Sequence, residues 1–276
     1  MAAGVKSRSS SAARKPPQKV AAPKTVLYLY GISRNGNFDI TEPGVDGAGI
    51  VEPLACSGLI CWISRVSRND FASRLNEHMQ DLDWLAAAGV RHQQVVAAIA
   101  AQSDVLPARF ATVFLTPDSL ERHIRDQKPV LLAAFERIDG CDEWGVKIHA
   151  VPHSVEVTER SRNKGAARSG REYLERKAAT LQARPAKADP AFEEFAKDLG
   201  RHSREAARIT AQGTQPGLEW QASFLVPRRQ KNAFLAMTSR YAERWRDRHR
   251  VECTGPWPPY SFVVSLASDA AGARER

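Results

Sequence analysis

Thr254-Gly255-Pro256-Trp257-Pro258-Pro259-Tyr260-Ser261-Phe262-Val263-Val264 packs three prolines and three aromatic residues into eleven positions near the C-terminus. Each proline fixes φ and lacks a backbone N–H. The segment must therefore run extended, as polyproline II or as the approach to a strand whose pairing starts only after Pro259. In such a strand Tyr260, Phe262 and Val264 share one face. A stiff segment costs little entropy to order, so it can hold Trp257 and Tyr260 in one pose. That pose serves either the core of a sheet that this strand closes or a contact surface for a partner.

Working outward, Ala233, Phe234, Met237, Tyr241 and Trp245 form a helical stripe that leads through Arg250–Cys253 into this stretch. Leu218–Val226 is a strand stopped by Pro227, and a Gly- and Pro-containing turn pairs it with Arg208–Ala211 as a hairpin. Helices are expected at Arg171–Lys177 and over Ala191–Ala207, as two helices or one kinked arm, with Phe192, Phe195, Leu199 and His202 at helical spacing. Trp144–Val151 alternates so that Trp144, Val146, Ile148 and Ala150 share one face and Lys147 and His149 are exposed, with Pro152 as its stop. Glu156–Arg171, charged and bearing Gly and Ser, reads as a variable, mobile insertion. The order strand, helix, strand, strand, helix, strand is that of a ferredoxin-like, split βαβ sheet with helices on one face.

The N-terminal half is also mixed. Thr25–Ile32 is a β-branched and aromatic run ended by Gly31 and the turn-forming Ser33–Asn37, hence a largely buried strand. Ile40–Pro53 reads as loop with a short strand near Ile50, and Gly58–Ser64 as a second strand with Cys61 buried. Leu75, Met79, Leu82, Leu85 and Ala86, then Val95, Val96, Ile99 and Ala100, recur at helical steps, as two helices broken at Gly89. Asp81 and Asp83 read as caps for the helix beginning at Trp84. Asp104–Phe114 places Arg109 inside an otherwise apolar extended segment, from which it either snorkels to a surface carboxylate or serves binding. Thr116-Pro117-Asp118-Ser119 starts a helix striped by Leu120, Ile124, Leu131, Leu132, Phe135 and Ile138 and closed by Gly140. The chain is placed in the α+β class, with an N-terminal α+β domain over 25–141 and a C-terminal ferredoxin-like one over 142–266.

Composition bounds the rest. A chain of 276 residues, 43% hydrophobic, suffices for two ordinary domains. No run approaches the length of a bilayer-spanning helix, and the N-terminus lacks the apolar core of a secretory signal. The four cysteines form no Cys-x-x-Cys pair, which fits reduced thiols and a cytoplasmic location. Of the net charge of +9, residues 1–24 carry +6 with no acid, so the remainder is only mildly basic. That tail is rich in Ala, Ser, Pro and Lys and is read as disordered, as are residues 267–276. Its lack of acid also resembles a transit peptide, though its prolines would break an amphipathic helix; a basic tether for an acidic surface is the other functional reading.

A search for chemistry returns no site. Glycine-rich dinucleotide and phosphate loops and the nucleophile elbow are all missing from the sequence. His149 and His153 are too far apart for one metal on a strand broken by Pro152, and His202 with Glu205, one helical turn apart, has no second pair to join it. The reading is of a non-enzyme with no cofactor, metal or catalytic residues.

Tyr28-Leu29-Tyr30-Gly31-Ile32, Val105–Phe114, Trp144–Ile148, Arg171–Leu174, Ala222–Val226 and Thr254–Phe262 occur in an order and spacing that resembles the gas vesicle accessory proteins of the F and L type, over roughly residues 25 to 264. The Gly-Pro-Trp-Pro-Pro-Tyr-Ser-Phe and Leu-Pro-x-Arg-Phe runs are the specific ones. Ala111 departs from the glycine common after Arg-Phe in that family, and the basic tail is an addition. The resemblance implies a minor component or assembly factor of gas vesicles that engages the small hydrophobic shell protein and other accessory proteins. An aromatic surface or free strand edge can hold an apolar shell subunit soluble. Trp257, Pro258, Pro259 and Tyr260, with Arg109 and Phe110 as a second patch, are the candidate contact on composition alone. The alternative is a nucleic-acid-binding module that stacks bases on an exposed sheet face, aided by the basic tail. The folded part lacks the Lys/Arg-Gly-Phe signature and a basic stripe, which makes nucleic acid the weaker partner.

Overall fold

The computed structural model describes residues 24–151, 189–208 and 217–263. The basic tail, the insertion with the helix expected at Arg171–Lys177, Ile209–Ala211 of the hairpin and the C-terminal tail lie outside the described residues. Two antiparallel sheets organise what is described. The first has the order β2-β3-β1-β4, from β1 (Thr25–Ser33), β2 (Glu52–Cys56), β3 (Leu59–Ser67) and β4 (Val105–Pro107), with β5 (Val113–Phe114) also pairing β1. A strand buried on both faces needs apolar residues at every position, and β1 is buried from Val26 to Ser33. A register shift between Leu29 and Gly31 returns Ile32 to the face of Leu27 and Leu29. Gly31 also lets β4 approach, since a Cβ there would lie 2.8 Å from Val105 Cγ2.

One helix covers each face of this sheet. The helix α1 (Leu75–His78) is a single turn, after which α2 (Leu82–Gln102) packs Ala88, Val95, Val96 and Ile99 against Tyr28, Tyr30 and Trp62. Asp81 caps α2 by accepting from the N–H groups of Asp83 and Trp84. The expected break at Gly89 does not occur: burial of Ala88, His92 and Val95 outweighs the ~1 kcal/mol a mid-helix glycine costs. On the other face α3 (Pro117–Ile138) packs Leu120, Ile124, Leu131 and Phe135 against Leu27, Leu29 and Cys61, its start fixed by a reciprocal Thr116–Ser119 capping box. The strand expected near Ile50 instead begins at Glu52; Ile50 is 80% exposed.

The second sheet has the order β7-β8-β6-β9, every neighbour antiparallel, from β6 (Cys141–Ala150), β7 (Glu205–Arg208), β8 (Leu218–Pro227) and β9 (His249–Trp257). The helices α4 (Pro190–Gly200) and α5 (Lys231–Trp245) lie on one face, where Phe192, Phe195, Phe234 and Tyr241 meet Trp144, Trp220 and Phe224. The helix expected over Ala191–Ala207 stops at Gly200, because from Glu205 the chain pairs with Leu225–Ala222 of β8. His202 and Glu205 therefore do not share a helix face, and Glu205 is ion-paired with Arg137 of α3. His149, expected to be exposed, is half-buried.

The opening stretch departs most from its sequence reading. Pairing of β9 with β6 ends at Glu143↔Trp257, and among the described residues no strand follows Pro259. Pro258 and Pro259 have no N–H to continue the ladder. The chain leaves the sheet into a 3₁₀ turn over Tyr260–Phe262. Gly255, at φ +141°, sits so close to the Glu143 carbonyl and the Trp144 ring that a Cβ would come within 2.9 Å of the former.

Candidate partner-binding site

Tyr260, Ser261 and Phe262 form a wedge between the two sheets. The Ser261 N–H and Oγ–H both donate to the carboxylate of the buried Glu143, at 2.8 and 2.6 Å. Phe262 is buried with Leu225, Cys141 and residues of α3 in one core. Tyr260 turns inward, its Oη 3.2 Å from His92 Nε2 of α2. On the other side of the same ring, Nδ1 lies 2.9 Å from Tyr28 Oη. Ala111 N–H donates to Tyr28 Oη, whose own proton is then available to Nδ1. Burial pushes the His92 imidazole down to about 4, with a smaller opposing pull from the Ala108 backbone, so His92 is neutral at pH 7. Burial likewise raises the Tyr260 phenol.

One end of the wedge opens to solvent. A cleft of ≈ 170 Å³ lies between the end of α2 (Ala97, Ala100, Ala101), Val105 and the Pro256–Pro259 wall. At its rim Arg228 bridges Asp104 at 2.8 Å and Asp142 at 3.1 Å. Trp257 stands beside it 46% exposed. The cleft continues into the outward face of α2. Leu82 is 77% and Val90 57% exposed, and Ala86, Gln94, Ala97 and Ala101 are exposed on the same stripe. Its one charge is the exposed Asp83 at the capped first turn; the other charged residue of α2, Arg91, donates to the Val45 carbonyl at 2.8 Å. A helix apolar nearly all round is ordinarily covered on all sides.

The six residues expected to form the contact divide. Trp257 and Arg109 are exposed, Pro258 and Pro259 are buried in the cleft wall, and Phe110 and Tyr260 are half-buried against His92. Arg109 lies in a turn beyond β4 rather than inside a strand, because Ala111 takes φ +65° and reverses the chain. Phe110 packs 6.2 Å from Trp84 near the start of α2, whereas the Trp257 cleft lies at its end. The two expected patches thus lie at opposite ends of α2, and Phe110 meets its core-facing side.

The family model for gas vesicle synthesis protein GvpL/GvpF matches residues 26–264. The chain belongs to the GvpL/GvpF family. Gas vesicle protein L of Streptomyces sp. (strain CB03234) is 31% identical over 90% of this chain and 96% of its own length, and gas vesicle protein F of the same organism is 27% identical over 86% and 98%. The crystal structure of GvpF from Anabaena sp. PCC7120 superposes with a TM-score of 0.62 at 20% identity, covering 86% of this chain and 98% of that one, and so shares the mixed α+β fold. Membership in the GvpL/GvpF family supports a gas vesicle accessory role. Among the described residues no three His, Cys, Asp or Glu converge as metal ligands, and no helix is long and apolar enough to cross a membrane.

Three sequence runs that carry the family resemblance converge at His92: Tyr28 and Tyr30 from the first, Phe110 and Ala111 from the second, Tyr260 from the third. Sequence reasoning missed His92 itself, which sits mid-helix without a paired acid or second histidine. Glu143 was also missed. The signal for His92 was its place among buried positions of α2, at Ala88 + 4 and Val96 − 4.

Proposed function

We propose that this protein is a gas vesicle assembly factor that holds the small hydrophobic shell protein against the outer face of α2 and the Trp257 cleft, and works with other accessory proteins at the gas vesicle. The observation that carries this reading is the largely apolar stripe of α2 running into a preformed apolar cleft beside an exposed tryptophan. Such a surface suits a partner whose own apolar face would otherwise aggregate. The His92 and Ser261 links keep the cleft wall in register with α2. We place a domain boundary near residue 142, where β6 begins, and read the order β9-β6-β8-β7 with α4 and α5 on one face as ferredoxin-like.

The nucleic-acid reading has the basic tail in its favour but not the sheet aromatics it counted on. Trp144, Trp220 and Phe224 of the second sheet face α4 and α5, while its other face carries Lys147, His149, Gln221 and Glu252. The test is a pulldown of the tagged protein from cells co-producing the shell protein, at low and high salt with nuclease. Retention at high salt after nuclease, lost in Trp257→Ala with Val90→Arg, is the expected result. Loss of shell protein with nucleic acid recovered at low salt would refute the assembly reading.

A further inference from the structure

The outer face of α2 has a symmetry that a second copy of this chain can use. Its exposed residues pair about a midpoint near residue 92: Leu82 with Ala101, Ala86 with Ala97, Val90 with Gln94. Two antiparallel helices related by a two-fold axis bring such pairs face to face. Leu82 is the most exposed large apolar side chain of α2, and the cleft beside Ala97 and Ala101 is a hole at the opposite end, its ≈ 170 Å³ sized for one aliphatic side chain. From 82 to 101 the helix rises ~28 Å, so each leucine lies ~14 Å from the axis and reaches the other copy's cleft, never its own. The stripe carries one charge, Asp83, which the axis sets ~26 Å from its counterpart in the other copy, so the face does not repel itself; the small residues at 86, 97 and 101 allow close approach, and the antiparallel helix dipoles oppose favourably.

We propose that the protein self-associates as a two-fold dimer through antiparallel α2 helices, with Leu82 of each copy seated in the Trp257 cleft of the other. One helix face about 32 Å by 10 Å offers ~300–400 Å² per copy, less than the ~800 Å² of a stable interface, so the dimer dissociates on dilution. Because the shell protein is assigned the same surface, the dimer covers the apolar face until a shell subunit displaces it; this second half rests on the function proposed above, the dimer itself does not.

Sedimentation of the full chain from about 1 to about 200 μM tests the dimer by mass action. The expected result is a shift from one copy to two, abolished by Val90→Arg, which sets two guanidinium groups within a turn of each other at the axis. Val90 is exposed, so the melting temperature of this variant stays that of the parent; Leu82→Glu is the second variant should it fall. Register is tested by cysteines in a Cys141→Ala background, since Cys141 lines the cleft: Leu82→Cys chains mixed with Ala101→Cys chains cross-link on mild oxidation, whereas Leu82→Cys alone does not. A one-copy mass throughout, or Leu82→Cys linking to itself as readily, overturns the proposal. A monomeric chain that still retains shell protein overturns the dimer and leaves the shell-protein reading standing. A dimer that added shell protein does not dissociate keeps the dimer and removes the shared surface.

Discussion

Helices α2 and α3 are of nearly equal length, 21 and 22 residues, and cover opposite faces of the same sheet, yet their outer faces differ completely. α3 carries eight charged residues, among them Arg122, Arg125, Asp126, Glu136 and Arg137 on its exposed side, and is an ordinary amphipathic surface helix. α2 carries two and turns leucine, valine and alanine to solvent. The inner faces do the same work, so the difference lies outside the folding problem. Stability does not require an apolar outer face; the contacts proposed above would use one.

The inner faces of the two helices carry the largest expected effects. Phe135→Ala on α3 should cost about 3–5 kcal/mol and Ile99→Ala on α2 about 2–5 kcal/mol in denaturant unfolding, since both side chains are fully packed. An Ile99→Ala cost below about 1 kcal/mol would mean that α2 is not held as α3 is.

The second test addresses only the α2 side. His92 is neutral and buried among Tyr28, Tyr30, Phe110 and Tyr260, its folded pKa of about 4 below the ordinary 6.5. The unfolded chain therefore takes up the proton first as pH falls. This contribution is intact above pH 6.5 and lost progressively toward pH 4, amounting to about 2 kcal/mol between pH 7 and 5. His92→Gln should flatten that part of the stability profile. An unchanged slope would place the imidazole in contact with water.

A smaller gain is expected beneath α2 at Ala111, whose φ of +65° suits glycine. Ala111→Gly should raise stability by about 0.5–1 kcal/mol, the relief of left-handed strain exceeding the added unfolded-state entropy. A loss in thermal melts would show the turn to be unstrained.

The smallest stability effects belong to the outer faces. Val90→Arg on α2 and Val130→Arg on α3, both at exposed sites, should each stay within about 0.5 kcal/mol of the parent. Only the first should abolish shell-protein retention. Equal loss from both would erase the distinction between the helices.

Where local chemistry decides, the sequence was enough. Thr25–Ile32 and Gly58–Ser64 lie within β1 and β3, the Thr116-Pro117 start and the Gly140 end bound α3 within a residue or two, and Asp81 caps α2. Each depends on neighbours a few positions away. The helix ending at Gly200 was misread because helical periodicity continued to His202 while pairing with β8 took over at Glu205. Gly89 was misread for the converse reason, as a local penalty was outweighed by burial that the local sequence does not contain.

The sequence by itself determined that Pro256–Pro259 is stiff, that pairing cannot pass two adjacent prolines, and that Trp257 and Tyr260 are held in one pose. Tertiary structure alone decided that the two point opposite ways. Tyr260 found His92, 168 positions away, and Ser261 found Glu143, 118 positions away, which are distances no periodicity encodes. It alone also decided which side of α2 stays bare. A helix apolar nearly all round has no preferred face until a sheet selects one, and the sheet that selects it is built from strands on both sides of the helix in sequence.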